Sequence, residues 1–331
     1  MEFLKRKFRN IKIRSKVIYS CVLIAFIPFC LIGSLGVSIS TREMEKNVTQ
    51  YTMQMVEQIL QTVDIYLNSI EKKANMLIRM VEPLHVERIK DSEDPSWEMR
   101  QEVLCASFQT VAETHEEIAG IFFATENDLY VSTRMSRTSR DSFTKESWYQ
   151  KAKERPEEMQ IISDVTGRNI ATDKTYSIDD VFSIVKAVRN PDTGEVAGVL
   201  LLDIKHDIIS SAIRDVIIGE NGFVYVLDST GHIVYTPANA VVYRIKPEWL
   251  QNGREQLRAE IQGQTYQITY QQSEYSGWKI VSVSSYREIM GNVNKMFFTF
   301  VALLVVTVLI VMYVAVKISE TITKPIVKLR N

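Results

Sequence analysis

The residue types that ordinarily do covalent chemistry are thinly spread along these 331 residues. Four histidines (His85, His115, His206 and His232) stand singly, and three cysteines lie far apart. No GxSxG, HExxH, phosphate-binding GxxxxGK[ST] or CxxC run occurs. His206 adjoins Asp207, which suggests a metal or acid–base site, but two polar groups at a helix start suit a surface position better. No catalytic residue and no metal ligand is therefore assigned. Asn47-Val48-Thr49 fits a glycosylation sequon, which matters only in a eukaryotic secretory pathway. The remaining chemistry is that of binding, so the elements that would shape a pocket come next.

Composition suits a chain with a real core, 46% hydrophobic and 24% charged. Two uncharged apolar runs concentrate the surplus. Residues 17–39, within "VIYSCVLIAFIPFCLIGSLGVSIST", and 296–316, "MFFTFVALLVVTVLIVMYVAV", are each long enough to cross about 30 Å of hydrocarbon as a helix. The first exceeds a signal-peptide core and has no A-x-A-like site after it, so it is read as an anchor. Lys5, Arg6, Lys7, Arg9, Lys12, Arg14 and Lys16 precede it, and Lys317, Lys324, Lys328 and Arg330 follow the second run. Both ends are thus expected in the cytoplasm, with residues 42–295 outside the cell membrane. The first 41 residues carry +6, residues 296–331 carry +3 and the whole chain carries −1, which leaves −10 for the stretch between. So acidic an ectodomain argues against nucleic acid as a partner. Cys105 is the only thiol there, which rules out an intrachain disulfide.

Along the outside region, residues 42–82 hold no glycine or proline. Leu60, Val63, Leu67, Ile70, Ala74, Leu77 and Val81 recur at spacings of three and four, one apolar stripe on a helix roughly 60 Å long. A seam with a second copy and packing on the chain's own sheets both suit such a stripe, and its spacing does not choose between them. A second helix is expected over 97–114. "IAGIFFAT" and "LYVSTR" then read as a hairpin across "END", "KESWYQKAKE" as a helix, and "DVFSIVKAV" and "EVAGVLLLDI" as long strands joined at "RNPDTG". A smaller pattern repeats: helix "HDIISSAIRDVI", strands "FVYVLD" and "HIVYT", helix "KPEWLQ" and three more strands, with a final helix from Tyr286 entering the second apolar run. The fold class is α+β: two antiparallel-sheet units on a long amino-terminal helix, flanked by two transmembrane helices. The expected boundaries are a basic tail (1–16), first span (17–39), stalk helix (42–82), membrane-distal unit (83–210), membrane-proximal unit (211–290), second span (296–316) and a juxtamembrane segment (317–331).

This order of parts, with "SWYQKA", "IISDVTG", "VFSIVKAVRNPDTGEVAGVLLLDI" and "GENGFVYVLDSTGHIVYT", resembles the double Cache sensor domain of bacterial transmembrane receptors, with PAS-like sheets. "TITKPIVKLRN" resembles the start of a HAMP domain, which implies a signal-transmitting role for Pro325, with Ile326 and Leu329 on one face. "KIRSKVIYSCVLIAFIPFCLIGSLGVSIS" with "VEQILQTVDIYLNSIE" is similar to the first span and stalk of YesM-type sensor histidine kinases.

In amino-acid-binding Cache domains the ligand lies in the distal unit, and the resemblance implies Trp148, Tyr149, Asp164, Tyr176 and Asp203 as ligand-binding positions. Aromatic rings offer stiff contact area and carboxylates accept hydrogen bonds from ammonium or hydroxyl groups. Packing alone would also account for Trp148 and Tyr149, and helix capping for Asp203. Glu146 stands where such domains carry the arginine that grips a carboxylate, with Lys145, Arg137 or Arg168 as possible substitutes. The expected ligand is accordingly a small polar solute, amino acid or sugar-like. The resemblance further implies a homodimer, no cofactor in this segment, ATP and a response regulator for a kinase module beyond it, and a possible extracellular solute-binding protein. The sensor half of a chemoreceptor or diguanylate cyclase, or an anchored protein-binding module, are the alternatives.

Overall fold

The structure, a computed structural model, describes residues 13–214, 218, 221–251 and 256–328. The chain divides into two compact units, one of residues 52–284 and one of the two helical ends. Most of the expected basic tail and Leu329 lie outside the described residues.

Helix α1 (Ile13–Val81) is continuous over 69 residues. The first apolar run and the expected stalk are thus one helix, because nothing in residues 40–46 breaks it: Thr41 returns its hydroxyl to the Val37 carbonyl at 2.8 Å, as a helical threonine can. Pro28 lies inside it. At the other end, α5 (Tyr286–Ile289) and α6 (Gly291–Lys328) replace the single expected helix. The α1 and α6 helices each contain a stretch long and apolar enough to cross a membrane, and those stretches are almost wholly exposed, unlike core helices of a soluble protein. Within the unit they form, Phe29 stacks on Phe300 with centroids 5.0 Å apart, and a Cβ on Gly33 would fall 1.6 Å from the Phe300 ring. Pro325 is within α6.

In the other unit, α2 (Pro95–Thr114) starts at Asp94, whose carboxylate accepts the Ser96 N–H at 2.8 Å. Strands β1 (Ile118–Thr125) and β2 (Tyr130–Thr133) form the expected hairpin, turning through Asp128 at φ 64°. The run "LYVSTR" breaks at Arg134, φ 57°, and β3 (Met135–Arg137) leaves the sheet. Helix α3 (Ser147–Glu154) and strands β4 (Gln160–Ile162), β5 (Ile170–Thr172), β6 (Val181–Arg189) and β7 (Val196–Lys205) follow. The order β2-β1-β7-β6-β4 makes one antiparallel sheet, while β3 and β5 pair in a separate ribbon.

Helix α4 (Asp207–Arg214) leads to β8 (Phe223–Leu227), β9 (Ile233–Tyr235), β10 (Gln256–Ile261), β11 (Gln264–Gln272) and β12 (Lys279–Ser285). Their order, β10-β11-β12-β8-β9, repeats that of the first sheet with its first and last strands central and adjacent. "KPEWLQ" forms only a 3-10 turn (Pro247–Leu250), since Pro247 and the four residues available supply too few backbone bonds for an α-helix.

Both faces of the first sheet are covered, and strand alternation separates them. Leu200, Leu202 and Ile204 of β7 join Phe182, Ile184, Ile121 and Phe123 beneath α1 and α2. Val199 and Leu201 point oppositely, into a cluster with Phe122, Phe143, Trp148 and Tyr149. The α1 stripe is settled by the same core. Val63, Leu67, Ile70, Ala74, Leu77 and Val81 are at most 2% exposed, and Leu60 packs beside them. These residues reach both sheets, since Val224, Val226, Trp278 and Ile280 share their cluster.

Candidate functional site

Asp203 sits near the end of β7, opposite Gly120 of β1 and Ser183 of β6. Its parity with Val199 and Leu201 turns it to the α3 face of the sheet, where it is 0% exposed. A bare carboxylate there would be prohibitive, so it must be paired and hydrogen-bonded. Arg168 supplies the partner: Nη1 donates to Oδ1 at 2.7 Å and Nη2 to Oδ2 at 2.5 Å, with the arginine side chain 6% exposed. Ser183 Oγ donates to Oδ1 at 2.6 Å and Tyr176 Oη to Oδ2 at 2.9 Å. Four donors fill the acceptor sites of one carboxylate. Burial works to lower the Arg168 pKa, but the hydrogen bonds and charge of Asp203 hold it above the ordinary guanidinium value. The Tyr176 phenol is pushed up by burial and then by Asp203, so it stays protonated and donates.

Local sequence explains how Arg168 arrives. Asp164 Oδ1 accepts the Thr166 N–H at 3.0 Å and its hydroxyl at 2.6 Å, closing an Asx turn that also holds the exposed Asp164 carboxyl below its usual value. Gly167 continues at φ 72°, a conformation glycine adopts without penalty, and reverses the chain so that Arg168 enters the sheet face. Gly120 has a second role. A Cβ there would lie 2.7 Å from both Tyr176 Oη and Met135 Cε, so its bare backbone makes room for the tyrosine.

Beside the Arg168–Asp203 pair is a cavity of about 60 Å³, lined among others by Glu146, Trp148, Ile162, Asp164, Arg168 and Ser183. At roughly 10–15 Å³ per water position, that is room for about four waters or one end of a small ligand. Of the residues that line it, Trp148 and Arg168 each have a buried N–H, Nε1 and Nε, that finds no acceptor in the protein. An unmet buried donor costs about 1–3 kcal/mol each. A wider crevice of about 960 Å³ shares Ser147, Ile162, Asp164 and Thr166 with the cavity and is walled opposite by Asp228, Thr230 and His232.

The sequence-predicted residues therefore separate into three positions. Trp148 and Asp164 line the cavity, while Tyr176 donates to Asp203, and Asp203 is joined to the lining through Arg168 and Ser183. Tyr149 turns away: its hydroxyl donates to Glu126 at 3.0 Å, and burial followed by the Glu126 charge pushes its pKa up. Pro325 lies in the other unit. Of the three possible substitutes for the missing arginine, Arg168 alone lines the cavity; Arg137 pairs with Asp128 and lies over the Phe143 ring, and Lys145 is exposed. Glu146 lines the cavity and accepts the Asn169 N–H at 3.3 Å. Ser183 and Gly120 were not foreseen, although a serine inside the apolar run "VFSIVKAV" was a legible signal. Among the described residues no group of three or more His, Cys, Asp or Glu is placed to hold a metal.

Solved structures with this fold include the ligand-binding domain of Mlp24 with asparagine (17% identity, 77% of this chain and 98% of that one, TM-score 0.54). Another is the ligand-binding domain of the Pseudomonas fluorescens chemoreceptor CtaA in complex with L-isoleucine (14%, 76% and 98%, TM-score 0.52). Curated relatives include a "Probable methyl-accepting chemotaxis protein" of Bacillus thuringiensis subsp. konkukian, 22% identical over 89% of this chain and 42% of the relative. Methyl-accepting chemotaxis protein McpC of Bacillus subtilis is 21% identical over 97% and 47%. The chain spans less than half the length of these relatives, and they are chemotaxis proteins rather than the kinases suggested by the first span and stalk. The Cache domain profile dCache_1 matches residues 40–293, well over half of the sequence, and the chain belongs to that family.

Proposed function

We propose that the chain is the ligand-sensing and membrane-crossing portion of a bacterial transmembrane receptor, binding a small polar solute in the cavity beside Trp148. The observation that carries this reading is the cavity lined by Trp148, Asp164 and Arg168 beside the buried Arg168–Asp203 pair, with room for one end of a small ligand. Both termini are cytoplasmic and residues 42–295 extracytoplasmic, supported by the lysines and arginines that flank the apolar runs. The receptor acts as a homodimer in which ligand favours one of two packing states, passed through the second span to a HAMP helix at Pro325. About 1–3 kcal/mol of coupling would suffice. Titration calorimetry on the chain in lipid nanodiscs, against small amino acids, amides and polyols, tests the site. Saturable binding should weaken at least about tenfold in Trp148→Ala; equal affinity in that variant would remove the site from this cavity.

Two outputs fit. Similarity over 89% and 97% of the chain to methyl-accepting proteins supports a chemotaxis receptor. The YesM-like first span and stalk support a histidine kinase, with ATP, a response regulator and a solute-binding protein outside as its partners. Ligand-dependent autophosphorylation from ATP in the full-length gene product supports the kinase, and ligand-dependent glutamate methylation the chemoreceptor.

A further inference from the structure

We infer that a second copy of this chain docks on the outer faces of α1 and α2, with α1 of each copy lying against α2 of the other. The inference rests on the homodimer of the receptor reading above and names the surface that makes it.

The apolar stripe of α1 is used up inside the chain, yet the opposite face of the helix is not wholly polar. Ile65 is 69% exposed, and Met76 and Met80 are each 37% exposed. A shallow hollow of about 510 Å³ runs beside the two methionines, and every residue that lines it, Lys72, Asn75, Met76, Arg79 and Met80, belongs to α1. Helix α2 repeats the pattern. Leu104 and Phe108 join the shared core, while Met99 is 64% and Val103 49% exposed, and the exposed Ala106 and Thr110 continue their edge at spacings of three and four. Methionine adapts its shape to what it meets, which suits a surface that packs on a partner.

Charge selects which face meets which. The exposed charges of α1 between Ile65 and Met80 are Lys72 and Arg79, both positive, and those of α2 are Glu98, Glu102 and Glu113, all negative. Among the described residues none of the five is held in an ion pair within the chain. Packing α1 on α1 across a two-fold axis would set like charges together, whereas α1 on α2 sets opposite ones together twice over. The two helices also run in opposite directions on one face of the first sheet. Arg100 Nη1 donates to the His85 carbonyl at 3.3 Å, and Lys73 meets Glu117 at 2.9 Å, so the end of α1 lies beside the start of α2 and its earlier turns beside the end. Met76 is thereby level with Thr110, and Lys72 with Glu113. A two-fold axis parallel to the helices keeps these levels and lays each α1 on the α2 of the other copy. Helix α2 has 20 residues, about 30 Å of length, and two helices each about 10 Å wide cover about 600 Å² per copy, enough for a specific interface.

The test cross-links copies of the whole chain in membranes. Cys21, Cys30 and Cys105 are replaced by serine, and two differently tagged chains are made together, one with Met76→Cys and the other with Thr110→Cys. No disulfide can then form within a chain. Mild oxidation should join the two tags in at least five times the yield of either same-tag product. Lys72→Glu in the first chain should slow that joining at least fivefold, and adding Glu113→Lys to the second should restore it to within twofold. All these positions are exposed, so each variant should melt as its parent does; Ala106→Cys takes the place of Thr110→Cys if that variant melts lower. Joining mainly between two Met76→Cys chains overturns this inference in favour of an α1–α1 seam and leaves the homodimer standing. Joining that Lys72→Glu does not slow overturns the charge pairing. No joining in any combination overturns both this surface and the homodimer, while solute binding by calorimetry on the same chain still supports or removes the sensor reading by itself.

Discussion

Arg168 and Asp203 meet across the α3 face of the first sheet through two parallel N–H···O bonds, one 2.7 Å and one 2.5 Å long, in a site almost closed to water. Such a pair adds little net stability over apolar side chains, but losing one partner strands a buried charge. Arg168→Met should therefore destabilise the chain by about 3–5 kcal/mol in denaturant titration. The double change Arg168→Met with Asp203→Leu should recover most of it. Equal instability in both would mean that packing, rather than the stranded carboxylate, sets the cost.

Gly120 controls the second neighbour of Asp203. In Gly120→Ala the new methyl would overlap Tyr176 Oη and Met135 Cε, and the tyrosine must swing off the carboxylate. We expect a loss of about 1–3 kcal/mol, the usual range for overpacking. Tyr176→Phe, which removes the hydroxyl, should shrink the further cost of Gly120→Ala; additive losses from the two changes would uncouple them.

The α1 stripe makes a prediction about association. Leu67 is 1% exposed within the chain's own core, so Leu67→Ala should cost about 2–5 kcal/mol. That loss should be independent of protein concentration over a hundredfold range. A concentration-dependent loss would instead assign Leu67 to a seam between copies.

His206 stacks on Phe182 with centroids 5.9 Å apart, and Phe182 in turn meets Trp278 edge-on at 5.2 Å. Burial lowers its pKa below the ordinary histidine value, against the opposing charges of Asp180 and Asp207. Protons therefore bind the unfolded chain first. Stability from this group is present above about pH 6.5 and is lost as pH falls through the lower folded-state value. His206→Phe keeps a ring against Phe182 and should flatten the decline in melting temperature between pH 7 and pH 5. An unchanged slope would assign the decline to other groups.

Periodicity made much of the architecture legible, because helices and strands are written locally. The apolar runs, the α1 stripe, the β1–β2 hairpin and the long β6–β7 pair all follow from spacing within a dozen residues. Element ends were less legible: the break at Arg134 and the β3–β5 ribbon depend on neighbours distant in sequence.

The binding site shows the same division. The resemblance to amino-acid-binding Cache domains marked Trp148, Tyr149, Asp164, Tyr176 and Asp203 as ligand-binding positions of the distal unit. Only the tertiary structure decided that Tyr149 turns to Glu126, that Asp164 stands at the mouth and that Asp203 is already taken. Arg168 is 35 positions from Asp203, and nothing in its own neighbourhood names its partner. A left-handed glycine at 167 and the register of β6, β7 and β1 bring the two charges together. Charge pairing across a fold is a property of register and burial, and neither is written in the spacing of a single segment.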